Sequence, residues 1–157
     1  MGEVCYNRTI MRRNSGFTLI EMLVVVAVIG LLSSVLLTAL GPAKDKAKDS
    51  RIEQEVNQVR SLAETMYNGT YTSLETLPAV NIQNADLKSL SDDITAQGGE
   101  LTIIKANPPT TYVAYSKLNL TTGDSSNPQT QYYCVDSIGH AVVTITEPST
   151  GAQCPSN

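Results

Sequence analysis

Apolar residues crowd into one stretch of the chain and then thin out into two different rhythms. From Phe17 to Leu40 the sequence reads FTLIEMLVVVAVIGLLSSVLLTAL, 24 residues in which Glu21 is the one charge. At about 1.5 Å rise per residue this run makes roughly 36 Å of helix, enough to cross a hydrocarbon core about 30 Å thick. Leu23, Val24, Val26, Val28, Leu31, Leu32, Val35 and Leu36 cover all sides of that helix, which suits lipid first and neighbouring helices later. Ser33 and Ser34 can return their hydroxyls to backbone carbonyls and need no function.

Gly41-Pro42 follows, a pair that predicts a kink or a local melt, though not an end, because glycine adds freedom and proline removes a hydrogen bond. Beyond it, Ala47, Ile52, Val56, Val59, Ala63 and Met66 recur near 3.6 spacing among helix formers, which predicts an amphipathic helix with one dry face. Asn68-Gly69 supplies a stop. One nearly continuous helix from Phe17 to about Tyr67 would be on the order of 75 Å long, too long to bury in a domain of this size, so half of it must project.

Residues 70–98 read as a polar connection broken at Pro78, with a short helix near Ala85–Leu90. From Glu100 the period becomes two: 101–105, 111–118, 131–135 and 141–146, separated by Asn107-Pro-Pro, Gly123-Asp-Ser-Ser-Asn-Pro and Asp136-Ser-Ile-Gly139. The expected fold class is α+β, with a long, partly protruding N-terminal helix packed on a C-terminal antiparallel sheet of about four strands. The expected organisation is a leader over 1–16, a membrane helix over 17–40, an amphipathic half over 41–69 and a globular head over 70–157.

Charge then orients the chain. Arg8, Arg12 and Arg13 precede the apolar run, and basic residues stay on the cytoplasmic side, so the C-terminal part is exported. Residues 1–16 hold three Arg and one Glu, which leaves 8 basic against 14 acidic residues beyond them, a balance of −6. That balance speaks against nucleic-acid binding. There is no A-x-A-like site just past Leu40, so the apolar run is expected to be retained. Met11 would begin a six-residue leader, MRRNSG, in which case residues 1–10, Cys5 included, would be an upstream extension of the reading frame.

Removing the leader leaves Cys134 and Cys154, an even pair suited to an oxidising compartment. A disulfide between them would close a loop of about 20 residues and contribute roughly 3 kcal/mol, chiefly through the unfolded state. The alternative is two free or metal-binding thiols; there is no CxxC, and His140 is the single histidine. No metal ligand set, cofactor motif or Ser/His/Asp arrangement can be read from the spacing. His140 is expected to be structural or solvated, Asp136 a solvated turn residue rather than a calcium ligand with Asp124 and Glu147, and Tyr112, Tyr115, Tyr132 and Tyr133 sheet packing. Asn68-Gly-Thr70 and Asn119-Leu-Thr121 fit an N-glycosylation pattern that is common by chance.

The junction Gly16-Phe17-Thr18-Leu19-Ile20-Glu21, with its short basic leader, apolar run and Glu as the fifth residue after the glycine, resembles that of type IV pilins and pseudopilins. The specific likeness covers about residues 11–40, and the rest agrees in architecture. The resemblance implies a membrane prepilin peptidase that cuts between Gly16 and Phe17 and methylates the new amine of Phe17. Gly16 suits this physically, since a residue without a side chain lets the backbone lie close in a protease cleft. Gly30 stands where the family commonly has a helix glycine. The family's proline often comes a few residues earlier than Pro42, which leaves the position of any melted segment open. Further partners implied are copies of the chain itself in a helical homopolymer, the inner-membrane assembly platform and its ATPase. The precursor would sit in the inner membrane with its head outside the cytoplasm, and then pass to an extracellular pilus or a periplasmic pseudopilus.

Glu21 has a mechanism of its own. An ionised carboxylate in hydrocarbon costs several kcal/mol unless it finds a partner. Within the apolar run there is no Lys or Arg, and the cation that processing creates is the amine of Phe17. Glu21 of an assembled subunit pairing with the Phe17 amine of an incoming one would set register and neutralise both charges. The alternative is a carboxyl near enough to the interface to reach headgroups. The leading expectation is a structural subunit of a type IV pilus, without catalytic activity. Its rivals are a pseudopilin of a type II secretion or competence (DNA uptake) system and, from another class, a monomeric membrane-anchored binding module, for which the apolar run would be a plain anchor. The Cys134/Cys154 pair, which resembles the disulfide-bounded region of many pilins, favours the pilus.

Overall fold

In a computed structural model, residues 16–124, 126–149 and 153–155 are described, the side chains of Thr38 and Ala39 excepted. Cys5, Arg8, Met11, Arg12 and Arg13 of the expected leader lie outside the described residues. The chain divides into two compact units between Ala39 and Leu40. The element order is α1 (Leu19–Thr65), α2 (Ala85–Ala96), β1 (Leu101–Lys105), β2 (Tyr112–Thr122), β3 (Gln129–Asp136) and β4 (Ala141–Thr144). This is an α+β arrangement with one four-stranded antiparallel sheet in the order β1-β2-β3-β4.

In the first unit, residues 16–37 are exposed along their whole length. An all-round apolar surface has no polar face to present to water, which is the signature of a segment built for lipid or for other helices. Helix α1 runs on through Gly41 and Pro42, which neither end nor unwind it.

In the second unit, period 3.6 on α1 meets period 2 on the sheet. Ile52, Val56, Val59 and Ala63 of α1, Leu87 and Ile94 of α2, and Leu101, Ile103, Tyr112, Ala114, Leu118 and Val135 of the sheet form one buried cluster with Tyr71, Leu74 and Leu77 of the connection. The alternate residues Val113, Tyr115 and Cys134 turn to the other face and pack with Cys154. The dry face of α1 starts at Asp49, not at Ala47, which is exposed. The reason is a break in the β2–β3 ladder between Lys117 and Thr121. The amides of Asn119 and Leu120 in that interval donate to the Asp49 carboxylate at 2.6 and 2.9 Å, and the Asn119 side-chain amide does so at 2.8 Å. Asn119 also donates to the Gln97 carbonyl at 3.1 Å, so this member of an Asn-x-Thr triplet has its amide committed within the head.

Helix α2 is longer than the expected turn and a half. Asn84 caps it by accepting from the Leu87 amide at 2.9 Å, and Arg51 ties it to α1 through Asp93 at 2.8 Å. The step from α2 to β1 depends on Gly99: a Cβ there would lie 2.5 Å from Ser116 Oγ and 2.8 Å from a methyl of Ile94.

Among the described residues, one buried side-chain group is left without a partner. The Tyr112 ring is wholly buried and edge-on to Tyr71, and its hydroxyl has no hydrogen bond among the described residues. Burial pushes its ionisation up, as does the nearby Glu64 carboxylate. An unsatisfied buried hydroxyl costs about 1–3 kcal/mol. Tyr112→Phe is therefore expected to stabilise the head by about 1 kcal/mol, seen as a melting temperature raised by about 4 °C in thermal unfolding; a lower melting temperature would mean that the hydroxyl is hydrogen-bonded.

Candidate functional site: the N-terminal junction of α1

Gly16, Phe17 and Thr18 precede α1 without regular structure, and all three are exposed. Phe17 is 81 % exposed, so the bond between Gly16 and Phe17 lies open on the described surface. Helix α1 starts at Leu19 and not at Phe17 because Thr18 caps it. Its hydroxyl accepts the Glu21 amide at 3.3 Å, while the Glu21 carboxylate accepts the Thr18 amide at 2.8 Å and the Thr18 hydroxyl at 2.8 Å. This reciprocal pair is a capping box, and it satisfies donors that the first helical turn leaves without partners.

The carboxylate that the sequence singles out for pairing is thus already in use within its own chain. Thr-x-x-Glu ahead of an apolar run is the sequence signal for this box. The box holds Glu21 at the start of the helix beside Phe17, Ile20, Val24 and Val25, with which it lines a shallow apolar hollow. Two lone-pair directions on the carboxylate remain for an incoming cation, since only Oε2 takes the Thr18 bonds. Of the two serines in the run, Ser34 donates to the Leu31 carbonyl at 2.8 Å, the local bond expected of it.

The C-terminal candidates come together at a second place. Cys134 and Cys154 are joined in a disulfide with Cα atoms 5.8 Å apart. Replacing both by Ser is expected to cost the head about 3 kcal/mol in unfolding free energy, read from denaturant titration of oxidised wild type against the double variant. A cost under about 1 kcal/mol would assign the stability of this region to Asp136 instead.

Asp136 corrects its expectation: it is no solvated turn residue but is 0 % exposed. Its Oδ1 accepts the amides of Ile138 at 3.1 Å and His140 at 2.9 Å, and its Oδ2 accepts the Cys154 amide at 3.0 Å. His140 Nδ1 lies 2.7 Å from Oδ2; facing a carboxylate, that nitrogen carries the proton. Burial works against the charged form, yet the bonds from Cys154 and His140 outweigh it and hold the carboxyl below its ordinary range. Asp124 and Glu147 are occupied elsewhere. Asp124 accepts the Ser126 and Asn127 amides of its own turn, and Glu147 accepts the Tyr115 hydroxyl at 3.2 Å. Among the described residues no three His, Cys, Asp or Glu side chains are grouped to hold a metal ion.

Residues 11–37 match the family model described as the prokaryotic N-terminal methylation motif. The chain is also similar to the type IV wide pilus major component PilA4 of Thermus thermophilus, with 41 % identity over 66 residues, 40 % of this chain. The chain spans about half the length of that relative, 50 % of which is matched. No solved structure matches the chain. In its N-terminal motif, its long first helix and its antiparallel sheet the chain is type IV pilin-like.

Proposed function

We propose that this type IV pilin-like chain is a structural subunit of a pilus, held in the inner membrane as a precursor, cut after Gly16, N-methylated at Phe17 and polymerised through α1. The observation that carries the reading is the exposed apolar surface of α1 beginning at the methylation motif, with Glu21 as its one charge. A surface of this kind is stable in lipid, and equally so against the same surface of other copies, so one segment serves as anchor and then as filament core. Subunits adding head to tail make a heterologous contact that does not close, which yields a helix rather than a ring.

Glu21 supplies the register. Cleavage creates an amine at Phe17, and the Glu21 carboxylate of a subunit already in place neutralises it when the incoming helix reaches the correct height. The implied partners are other copies of the chain, the prepilin peptidase, and the assembly platform with its ATPase. The similarity to a major pilus component supports a pilus over a pseudopilus.

The test is the intact mass and N-terminal sequence of the protein in the surface-sheared fraction of cells. A chain starting at methylated Phe17 in that fraction is the expected result. The same processed chain found only in the periplasm would make it a pseudopilin, and a chain keeping residues 11–16 in the membrane fraction would make it a plain anchor.

A further inference from the structure

Within α1, just past the apolar run, Lys44, Lys46 and Lys48 follow one another at alternate positions, with Asp45 as the one acidic residue among them. Lys44 and Lys46 are exposed and Lys48 is half-buried. Arg51 is held by Asp93 at 2.8 Å and Lys88 by Asp92 at 2.7 Å, whereas among the described residues no carboxylate lies within 4 Å of Lys44, Lys46 or Lys48. Asp49, which follows on the next turn, is withdrawn from them by the Asn119 and Leu120 amides. A cationic collar therefore stands between an apolar segment and a part of the chain whose remaining charge is mostly acidic.

Its position along the helix sets its chemistry. Lys44 and Lys48 lie four and eight residues beyond Leu40, or roughly 6 and 12 Å along the axis. With Leu40 at the edge of the hydrocarbon, Lys44 stands within the headgroup layer, about 5–8 Å deep on each side, and Lys46 and Lys48 stand just beyond it, from where flexible lysine stems reach back into it. A helix crossing that layer meets headgroups on the faces that the head leaves open, where Lys44 and Lys46 are exposed. Three ammonium groups without a carboxylate partner among the described residues match phosphates there.

We propose that Lys44, Lys46 and Lys48 bind the phosphate headgroups of anionic phospholipids in the outer leaflet of the inner membrane, fixing the depth at which the precursor waits before assembly. This rests on the membrane-inserted reading above. Each lysine at an anionic surface gains about fivefold in occupancy, and screening by salt weakens the gain. Leaving the membrane then requires giving up three such contacts, which retains the subunit until the filament offers replacement interactions.

The test uses the full chain, one copy per lipid nanodisc, with lysine dimethylation by formaldehyde and dimethylamine–borane as the hydride donor, followed residue by residue by mass spectrometry; both reagents are neutral, so a charged surface does not repel them. In discs with about 30 mol % phosphatidylglycerol, Lys44, Lys46 and Lys48 are expected to react about fivefold more slowly than in pure phosphatidylcholine discs, with Lys88, Lys105 and Lys117 unchanged and the difference lost in about 0.5 M salt. Equal rates in the two lipids overturn the proposal. So does protection in phosphatidylcholine discs on adding inorganic phosphate, which would mark a site for a free anion. Protection that needs several copies per disc whatever the lipid assigns the collar to carboxylates of a second copy and also overturns it. A chain that does not co-purify with discs at all sinks the membrane reading itself.

Discussion

Glu21→Gln is expected to be cut after Gly16 at the normal rate and to leave filament mass on the cell at less than about a tenth of wild type. Gln keeps an oxygen that can accept the Thr18 amide, so the capping box at the head of α1 survives in outline. What it loses is the charge that would face the Phe17 amine of the next subunit. An amine enclosed among apolar helices without a counter-ion costs about 3–5 kcal/mol, which weakens each addition more than a hundredfold. Glu21→Ala removes the cap as well, at about 1 kcal/mol more. The comparison separates the capping role from the proposed pairing role. If the Gln variant builds filaments at the wild-type level while the Ala variant does not, Glu21 is a capping residue and the pairing role is wrong. Shearing, quantitative immunoblotting and the mass of the processed chain give the three readings needed.

Asp136→Ala is expected to destabilise the head by about 3–5 kcal/mol, lowering its melting temperature by more than 10 °C. The carboxylate satisfies three amides, those of Ile138, His140 and Cys154, and the His140 ring besides. Removing it leaves donors unpaired in two chain segments, among them the buried amide of Cys154. Asp136→Asn keeps one acceptor and should fall between the variant and the wild type. The pH dependence follows from the direction of the shift. A carboxyl held below its ordinary value stabilises the fold at every pH above the unfolded value near 3.9, and that contribution is lost as pH falls through the depressed folded value. Thermal unfolding between about pH 7 and 2 should show the gap between wild type and Asp136→Asn close at the acid end. A gap that is constant across the range would show that the charge on Asp136 is immaterial.

The two halves of the chain were unequally legible, and particular residues show why. The four strands were found from alternation because Tyr112, Ala114 and Leu118 face one way and Val113 and Tyr115 the other, a pattern that burial on both faces imposes directly on residue choice. Helix α2 extends six residues beyond the expected end at Leu90. Its second half, SDDITA, buries only Ile94, so hydrophobic periodicity had one point to work with. Ala47 was placed in the dry face and is exposed, while Asp49 was not placed there and is buried. An acidic residue looks solvated in a sequence unless the amides it satisfies are known, and those of Asn119 and Leu120 are 70 and 71 residues away.

At the N-terminal junction the features are local and nearly all present in the order of residues. The glycine before Phe17, the lone Glu21, the apolar run and the Thr-x-x-Glu box need no partner from elsewhere in the chain, because a helix end and a membrane span are made from consecutive residues. Asp136 is the opposite case. Its neighbours Asp-Ser-Ile-Gly read as an ordinary turn, and nothing near it announces that the Cys154 amide, 18 positions later, comes to its second oxygen. Period and composition determined the apolar run, the strands and the even number of cysteines beyond the junction, since each is a property of short stretches or of residue type. Which polar groups are buried was decided only by tertiary structure, because a donor and an acceptor far apart in sequence become partners only when the packed chain excludes the water that would otherwise serve both.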